Sequence, residues 1–512
     1  MVRRVAVVFV LLFLVGTAAM PQEPDARAVV RAASAAIGAD TLKCITYLAN
    51  GSIGLVGQNY RPSDDWARVE IADYARTINF DAQSSREEQV RRQGNFPRRG
   101  GGGIPIVGEQ RLISLVSGDH AWNQQGNVVT PAPALSELRQ LDIWLTPHGF
   151  LKGAIQASTV TAFFRLEAGI PMTVVSYVWR KYRLTASINR DNVVERVQTF
   201  IATPFMGDTM VEHRYLDYKD FGGVRFPTTF DYHTNWDQEV SPWNPNGGHN
   251  AMALSVRSVQ SNACGEPLVV PDTVRQARLP PVRVESEKLA DGVYYLTGGS
   301  HHSVALEFRD FVAVVEAPLH EERSLAVIDS VKRLFPKKPL QYLVNTHHHF
   351  DHAGGLRTYV HQGVRVVTHR ENAELYYKEV LSVAPRTLAP DRLSLYPLSS
   401  PNSPYHFDVV NEQYALTDGV RVVNLHAIPA NPHALGMLVV HLPGERILIE
   451  ADLFTPPPAD VPLPSSPSEA NLRLYEAVQQ LSLQVDRIVP LHGRVYPWGD
   501  FVKFVDRGSV SK

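Results

Sequence analysis

Hydrophobic and polar positions change rhythm twice along the chain. Residues 26–37 are Ala-rich with apolar positions at helical spacing, and Gly38 supplies a stop, which predicts a helix. From there to about residue 260, short segments rich in Val, Ile, Thr, Tyr and Phe follow one another, as at 173–179, 182–188, 193–201 and 210–218. Polar turns such as Asn189-Arg190-Asp191-Asn192 and Phe221-Gly222-Gly223 separate them, so an antiparallel meander is expected. Residues 135–145 and 158–168 read as helices or short connectors. Beyond residue 281 the rhythm becomes strand, helix, strand. Residues 293–296, 304–308, 311–315 and 340–344 read as strands, 321–334 as a helix, and the alternation runs on to Ile488 and Val489. The pattern predicts an α/β layered domain preceded by a mostly antiparallel β domain.

The stretch between them, 267–281 (PLVVPDTVRQARLPP), sets prolines around a polar segment and suits an interdomain linker. A chain of 512 residues exceeds one compact core, in keeping with two domains, 21–266 and 282–512. Residues 1–20 read separately. Arg3 and Arg4 precede an apolar run at 5–15, and Gly16, Thr17, Ala18 and Ala19 follow, the make-up of a secretory signal peptide. The run is shorter than the roughly 20 residues a membrane span needs. No cysteine stands directly after it, which argues against a lipid anchor. The mature protein is thus expected to be periplasmic or secreted, with no stable membrane span after cleavage. Cys44 and Cys264 would pair in an oxidising compartment, while two separate buried thiols fit the sequence equally well.

Composition narrows the partners. At 44% hydrophobic, 20% charged and a net charge of −2, the chain has no basic excess for nucleic acid; a small-molecule substrate is the partner expected from the chemistry of the His/Asp-rich segment, not from composition. Two Gly-rich stretches, 91–103 (RRQGNFPRRGGGG) and 241–250 (SPWNPNGGHN), read as flexible solvated loops; an anion- or partner-binding role is the alternative for the first.

The chemistry concentrates after strand 340–344, in Asn345-Thr346-His347-His348-His349-Phe350-Asp351-His352-Ala353-Gly354-Gly355. Imidazoles and a carboxylate crowded at the exit of a buried strand suit zinc, and also iron or manganese. One ion would take His347 and His349, a second Asp351 and His352. A tag-like solvated His tract would not sit inside an apolar strand, turn and helix.

The HxHxDH pattern of His347, His349, Asp351 and His352 resembles the metallo-β-lactamase superfamily over roughly residues 282–505. That resemblance implies an αββα sandwich with the metals at one sheet edge and further ligands from later loops. The turn Pro432-His433-Ala434-Leu435-Gly436, the segment Ile447-Leu448-Ile449-Glu450-Ala451-Asp452 and the segment Val489-Pro490-Leu491-His492-Gly493 resemble those loops. Carried over, His347, His349 and His433 would hold the first Zn²⁺. Asp351, His352 and His492 would hold the second, with Asp452 bridging. The resemblance further implies a metal-bound hydroxide as nucleophile, oriented by Asp351. His348 should face away from the metals, and His426 competes with His433 for the third position. His301 and His302 stand at the pocket mouth or on the surface. Glu316 replaces the family's usual aspartate as support for the metal histidines, and Ala451 stands where glycine is usual.

With aspartate rather than cysteine at 452, the site resembles those of lactonases and thioester hydrolases. The expected reaction is hydrolysis of an ester, lactone, thioester or amide, β-lactams included. An iron-dependent, persulfide dioxygenase-like oxidoreductase is the alternative; a non-catalytic periplasmic binding protein would sooner have lost Asp452 or His492. The first domain, through its early helix, its meander and the segment 217–227 (DYKDFGGVRFP), resembles periplasmic lipoprotein-carrier domains and carries no catalytic motif.

Overall fold

The side chain of Asp25 accepts the backbone N–H groups of Arg27 and Ala28 and so starts the helix Ala26–Ile37, which Gly38 ends in the left-handed region. The buried face of this helix packs with the helices Ser136–Trp144 and Pro147–Gln156 against a thirteen-stranded sheet. The computed structural model describes residues 23–235, 249–382, 385–397 and 405–509. The expected signal segment and residues 241–248 of the second Gly-rich loop lie outside them.

The pairings of the large sheet are antiparallel, and its last strand, His249–Ser261, returns beside the first, Cys44–Leu55. A disulfide joins Cys44 to Cys264 with the Cα atoms 5.3 Å apart, tying that return together. Residues 158–168, read as a helix or connector, instead hold the edge strand Val160–Glu167, paired with Ile170–Trp179 across the turn Ala168-Gly169. Both turn residues have positive φ (48° and 82°), the requirement of a two-residue hairpin turn. The segment 267–281 is not a free tether. It contains the helix Asp272–Gln276, and Leu268, Val270 and Val274 pack on Ile113, Leu115 and Trp122 of the first sheet.

From Glu285 onward two sheets face each other. One has seven strands and the other six. Val293, Val304, Leu306, Val315 and Val344 of the first interleave with Leu438, Val440, Ile447, Ile449 and Val489 of the second. The helices Glu321–Leu334 and Leu356–His361 cover one outer face, and Glu469–Gln480 and Trp498–Ser509 the other. The result is an αββα sandwich. At one edge the strands Leu340–Val344 and Ile447–Glu450 end, each beside a parallel neighbour, and their exits carry the His/Asp segments.

Two segments of the first domain dock on that sandwich. The hairpin turn at 204–206 enters the second domain's core: Phe205 stacks on Phe350 with ring centroids 4.1 Å apart. Arg386 donates to the carbonyls of Pro204 and Phe205, both at 2.9 Å. The other segment, residues 55–66 together with 98–106, reaches the edge where the His/Asp residues lie.

A candidate metal centre completed by the first domain

The structure gathers His347, His349, Asp351, His352, His433, Asp452 and His492 at that edge. Among the described residues, two four-residue donor sets have ligand atoms within 4.8 Å of one another, His347, His349, His433 and Asp452, and His301, Asp351, His352 and His492; a third group of three, Glu316, His347 and His352, meets the same limit. In the first, His347 Nε2 lies 3.0 Å from His349 Nδ1 and 3.3 Å from His433 Nε2. Asp452 Oδ2 is 3.3 Å from both His347 Nε2 and His433 Nε2. The same oxygen lies 2.8 Å from His352 Nε2, while Oδ1 lies 3.1 Å from His492 Nε2. His492 Nε2 and His352 Nε2 are 2.9 Å apart. Asp452 therefore stands between the sets.

These separations fit ions. Ligands at about 2.0–2.1 Å from one ion are about 3.0 Å apart at an octahedral edge and about 3.4 Å at a tetrahedral one. Burial keeps the imidazoles of His347 and His349 far below their ordinary pKa, and that of His492 falls to about 4 for the same reason. Neutral imidazole lone pairs facing each other suit a cation. His352 differs: burial opposes its protonation, but the charge of Asp452 outweighs it and its pKa rises.

The outward ring nitrogens are fixed from behind. Glu316, fully buried and at φ 78°, accepts the N–H of His352 Nδ1 at 3.1 Å and the hydroxyl of Thr346. Thr346 Oγ1 is thereby left to accept from His347 Nδ1 at 3.0 Å, which turns Nε2 of that ring to the site. Asp452 also sits at positive φ, 62°, a conformation costing a non-glycine residue about 1–3 kcal/mol and held where surroundings over-determine it. His433 is thrown inward by a turn whose keystone is Asn431. Its amide donates to the carbonyls of Ile428 and Ala434, and its Oδ1 accepts from the N–H groups of His433 and Ala434. His426, on the strand Val422–Ala427, belongs to neither donor set. His348 also faces elsewhere, and His302 points to the carbonyl of Gly493.

The first domain supplies what sequence patterns do not reveal. The carbonyl of Asn59 accepts from His349 Nε2 at 2.9 Å and from His348 Nε2 at 3.0 Å, which leaves His349 Nδ1 as the lone pair facing the site. The Asn59 side chain braces its own loop through the carbonyls of Arg61 and Asp64. Gln58 Nε2 donates to Asp351 Oδ1 at 2.8 Å. Against the solvated-loop expectation, the Gly-rich stretch lies on the site: Gly100 N–H donates to Pro432 O, and Gly101 packs so close that a Cβ there would lie 2.7 Å from the His349 ring. The absence of side chains in 100–103 was the one sequence signal of such an approach.

The donor sets open into an interdomain cleft of about 1190 Å³. Ile53, Leu55, Val56, Ile104 and Pro105 of the first domain give it an apolar wall with Arg91 and Arg98, and residues 453–455 and 463–471 form the other side.

Residues 296–492 match the model of the metallo-beta-lactamase superfamily. The C-terminal domain has the metallo-β-lactamase fold. Similar solved structures include a metallo-β-lactamase from Pontibacter korlensis, 18% identical, with TM-score 0.34, covering 44% of this chain and 99% of that one. Another is the metallo-β-lactamase FIM-1 from Pseudomonas aeruginosa in its mono-zinc form, 16% identical, with TM-score 0.33, covering 45% and 98%. No curated protein matches the chain. The C-terminal domain brings its own His/Asp residues together, and the preceding β domain closes one side of this candidate metal centre. No helix among the described residues is long and apolar enough to cross a membrane.

Proposed function

We propose that the protein is a hydrolase that holds two divalent ions, zinc foremost, and cleaves an ester, lactone, thioester or amide bond. The observation that carries this reading is the pair of donor sets on either side of Asp452 at the floor of the interdomain cleft. Ions held there would supply Lewis acidity and bring the ionisation of water toward neutrality. His347, His349 and His433 would hold the first, and Asp351, His352 and His492 the second, with Asp452 shared.

The chain's own groups perform the rest. Burial opposes ionisation of Asp351, yet the neighbouring imidazoles of His301 and His352 outweigh it and keep this carboxylate below its ordinary range. Such a group is a weak base, so Asp351 acts by orienting a water through an accepted hydrogen bond. The apolar wall with Arg91 and Arg98 suits a substrate with an apolar portion and an anionic group. A persulfide-dioxygenase reading would use one ion, and the second donor set supports the two-ion reading over it. The Cys44–Cys264 disulfide supports action outside the cytoplasm.

The test is metal analysis of the purified protein with an ester, lactone, thioester and β-lactam panel. About two redox-inert ions per chain and turnover that persists without oxygen are expected. Iron with oxygen-dependent turnover would transfer the assignment to the oxygenase, and a protein that binds no ion would overturn it.

A further inference from the structure

The second donor set contains a histidine beyond the ligands assigned above. We propose that His301 is a further ligand of the second ion, whose site then draws on His301, Asp351, His352 and His492 besides Asp452. The inference rests on the two-ion reading.

Backbone placement is the first support. His301 pairs with His492 in a short antiparallel bridge, and the next residue's N–H donates to Leu491 O at 2.9 Å. The segment carrying one assigned ligand therefore positions His301. The ring lies 4.0 Å from that of His492 and 5.4 Å from that of His352, centroid to centroid. Only 13% of the side chain is exposed. Its Nδ1 lies 2.9 Å from Ser300 Oγ, and Nε2 lies 3.2 Å from Asp351 Oδ2. That last separation matches the edge of one coordination sphere, about 3.0–3.4 Å.

The donor sets then differ in kind. His347, His349, His433 and Asp452 make a four-donor site, the number zinc takes in tetrahedral geometry. The second set plus Asp452 offers one donor more and favours an ion that accepts a larger coordination number, such as manganese or iron, or zinc with an expanded shell. The two sites would accordingly take up different metals from a mixture.

A bland role for His301, donating a hydrogen bond to Asp351, makes a different prediction. His301→Asn keeps an N–H for Asp351 but is a poor ligand, whereas His301→Asp supplies an anionic oxygen donor and no hydrogen bond. The full chain, stripped with a chelator, is titrated with Co²⁺ and followed by its visible spectrum and by equilibrium dialysis. In His301→Asn the second Co²⁺ should bind about 100-fold or more weakly, beyond the roughly 10–100-fold cost of losing an outer hydrogen bond. The first Co²⁺ should bind unchanged, which also verifies the fold. His301→Asp should recover most of the second-ion affinity, and the visible bands of the second Co²⁺ should intensify wherever its coordination number falls. Wild-type-like binding and spectrum in His301→Asn, or weaker binding in His301→Asp than in His301→Asn, would overturn the proposal while leaving the two-ion reading intact. A wild-type protein that takes up no second ion would overturn both.

Discussion

Gly101 offers a direct test of the first domain's part in the proposed metal centre. A Cβ at this position would lie 2.0 Å from Gln58 Oε1, 2.7 Å from His349 Cε1 and 2.8 Å from His349 Nδ1. Relaxed contact needs about 3.5 Å, so Gly101→Ala requires the imidazole to retreat by about 0.8 Å and the Gln58 amide by about 1.5 Å. Gln58 can swing away, at the cost of its bond to Asp351. His349 is fully buried and pinned by Asn59 O, so its Nδ1 is carried off the first donor set. Gly101 is not among the positive-φ glycines, so the effect is steric rather than a backbone strain. Displacing a ligand's support costs about 10–100-fold in metal affinity, or about 1.4–2.7 kcal/mol. Competition with a chromogenic chelator measures this in the intact chain. Gly444→Ala, with no atom within 4 Å of its added Cβ, is the control. First-ion affinity in Gly101→Ala equal to that of the control would refute the view that the β domain helps to set the metal centre.

Three further outcomes are expected. His433→Ala should lose the first ion and His426→Ala should keep it, because only His433 belongs to a donor set; metal content per chain decides, and the reverse ranking would move the ligand to His426. Burial holds His148 neutral with its pKa down to about 4, opposed by its bond to Ile37 O and assisted by Lys152. Unfolded histidine titrates near pH 6.5, so between about pH 6.5 and 4 the unfolded chain binds a proton that the folded chain refuses, and stability falls by up to about 3 kcal/mol as pH drops. Urea midpoints at pH 7 and 4.5 should therefore draw apart more in the wild type than in His148→Gln, and equal shifts would count against the buried neutral imidazole. Cys44→Ser, which opens a link spanning 220 residues, should cost about 3 kcal/mol in the β domain; a melting curve unchanged from the wild type would exclude that contribution.

Much of the second domain is legible in the sequence because its information is local. The strand Leu340–Val344 ends in the buried pair Leu343 and Val344, and everything the HxHxDH turn needs follows within a few residues. Glu321–Leu334 carries its apolar face at helical spacing and acidic residues in its first turn. The two-residue period of strands served less well at Val160–Glu167, where Phe163, Phe164 and Leu166 are all exposed on an edge strand and no clean alternation survives.

By itself the sequence determined the layered order of elements, the residues of the His/Asp sets apart from His301 and the existence of a β-rich domain before them, since these rest on periodicity and on motifs within short spans. Tertiary structure alone decided which distant groups complete the centre. Asn59 contributes a backbone carbonyl, a group every residue possesses, so no side-chain pattern could mark it. Gln58 meets Asp351 across 293 positions of chain, and the Gly100 N–H meets Pro432 O only because the hairpin turn at 204–206 anchors one domain in the core of the other. Hydrogen bonds and steric fit act over about 3 Å of space irrespective of chain separation, and it is the packing of the two domains that sets those distances.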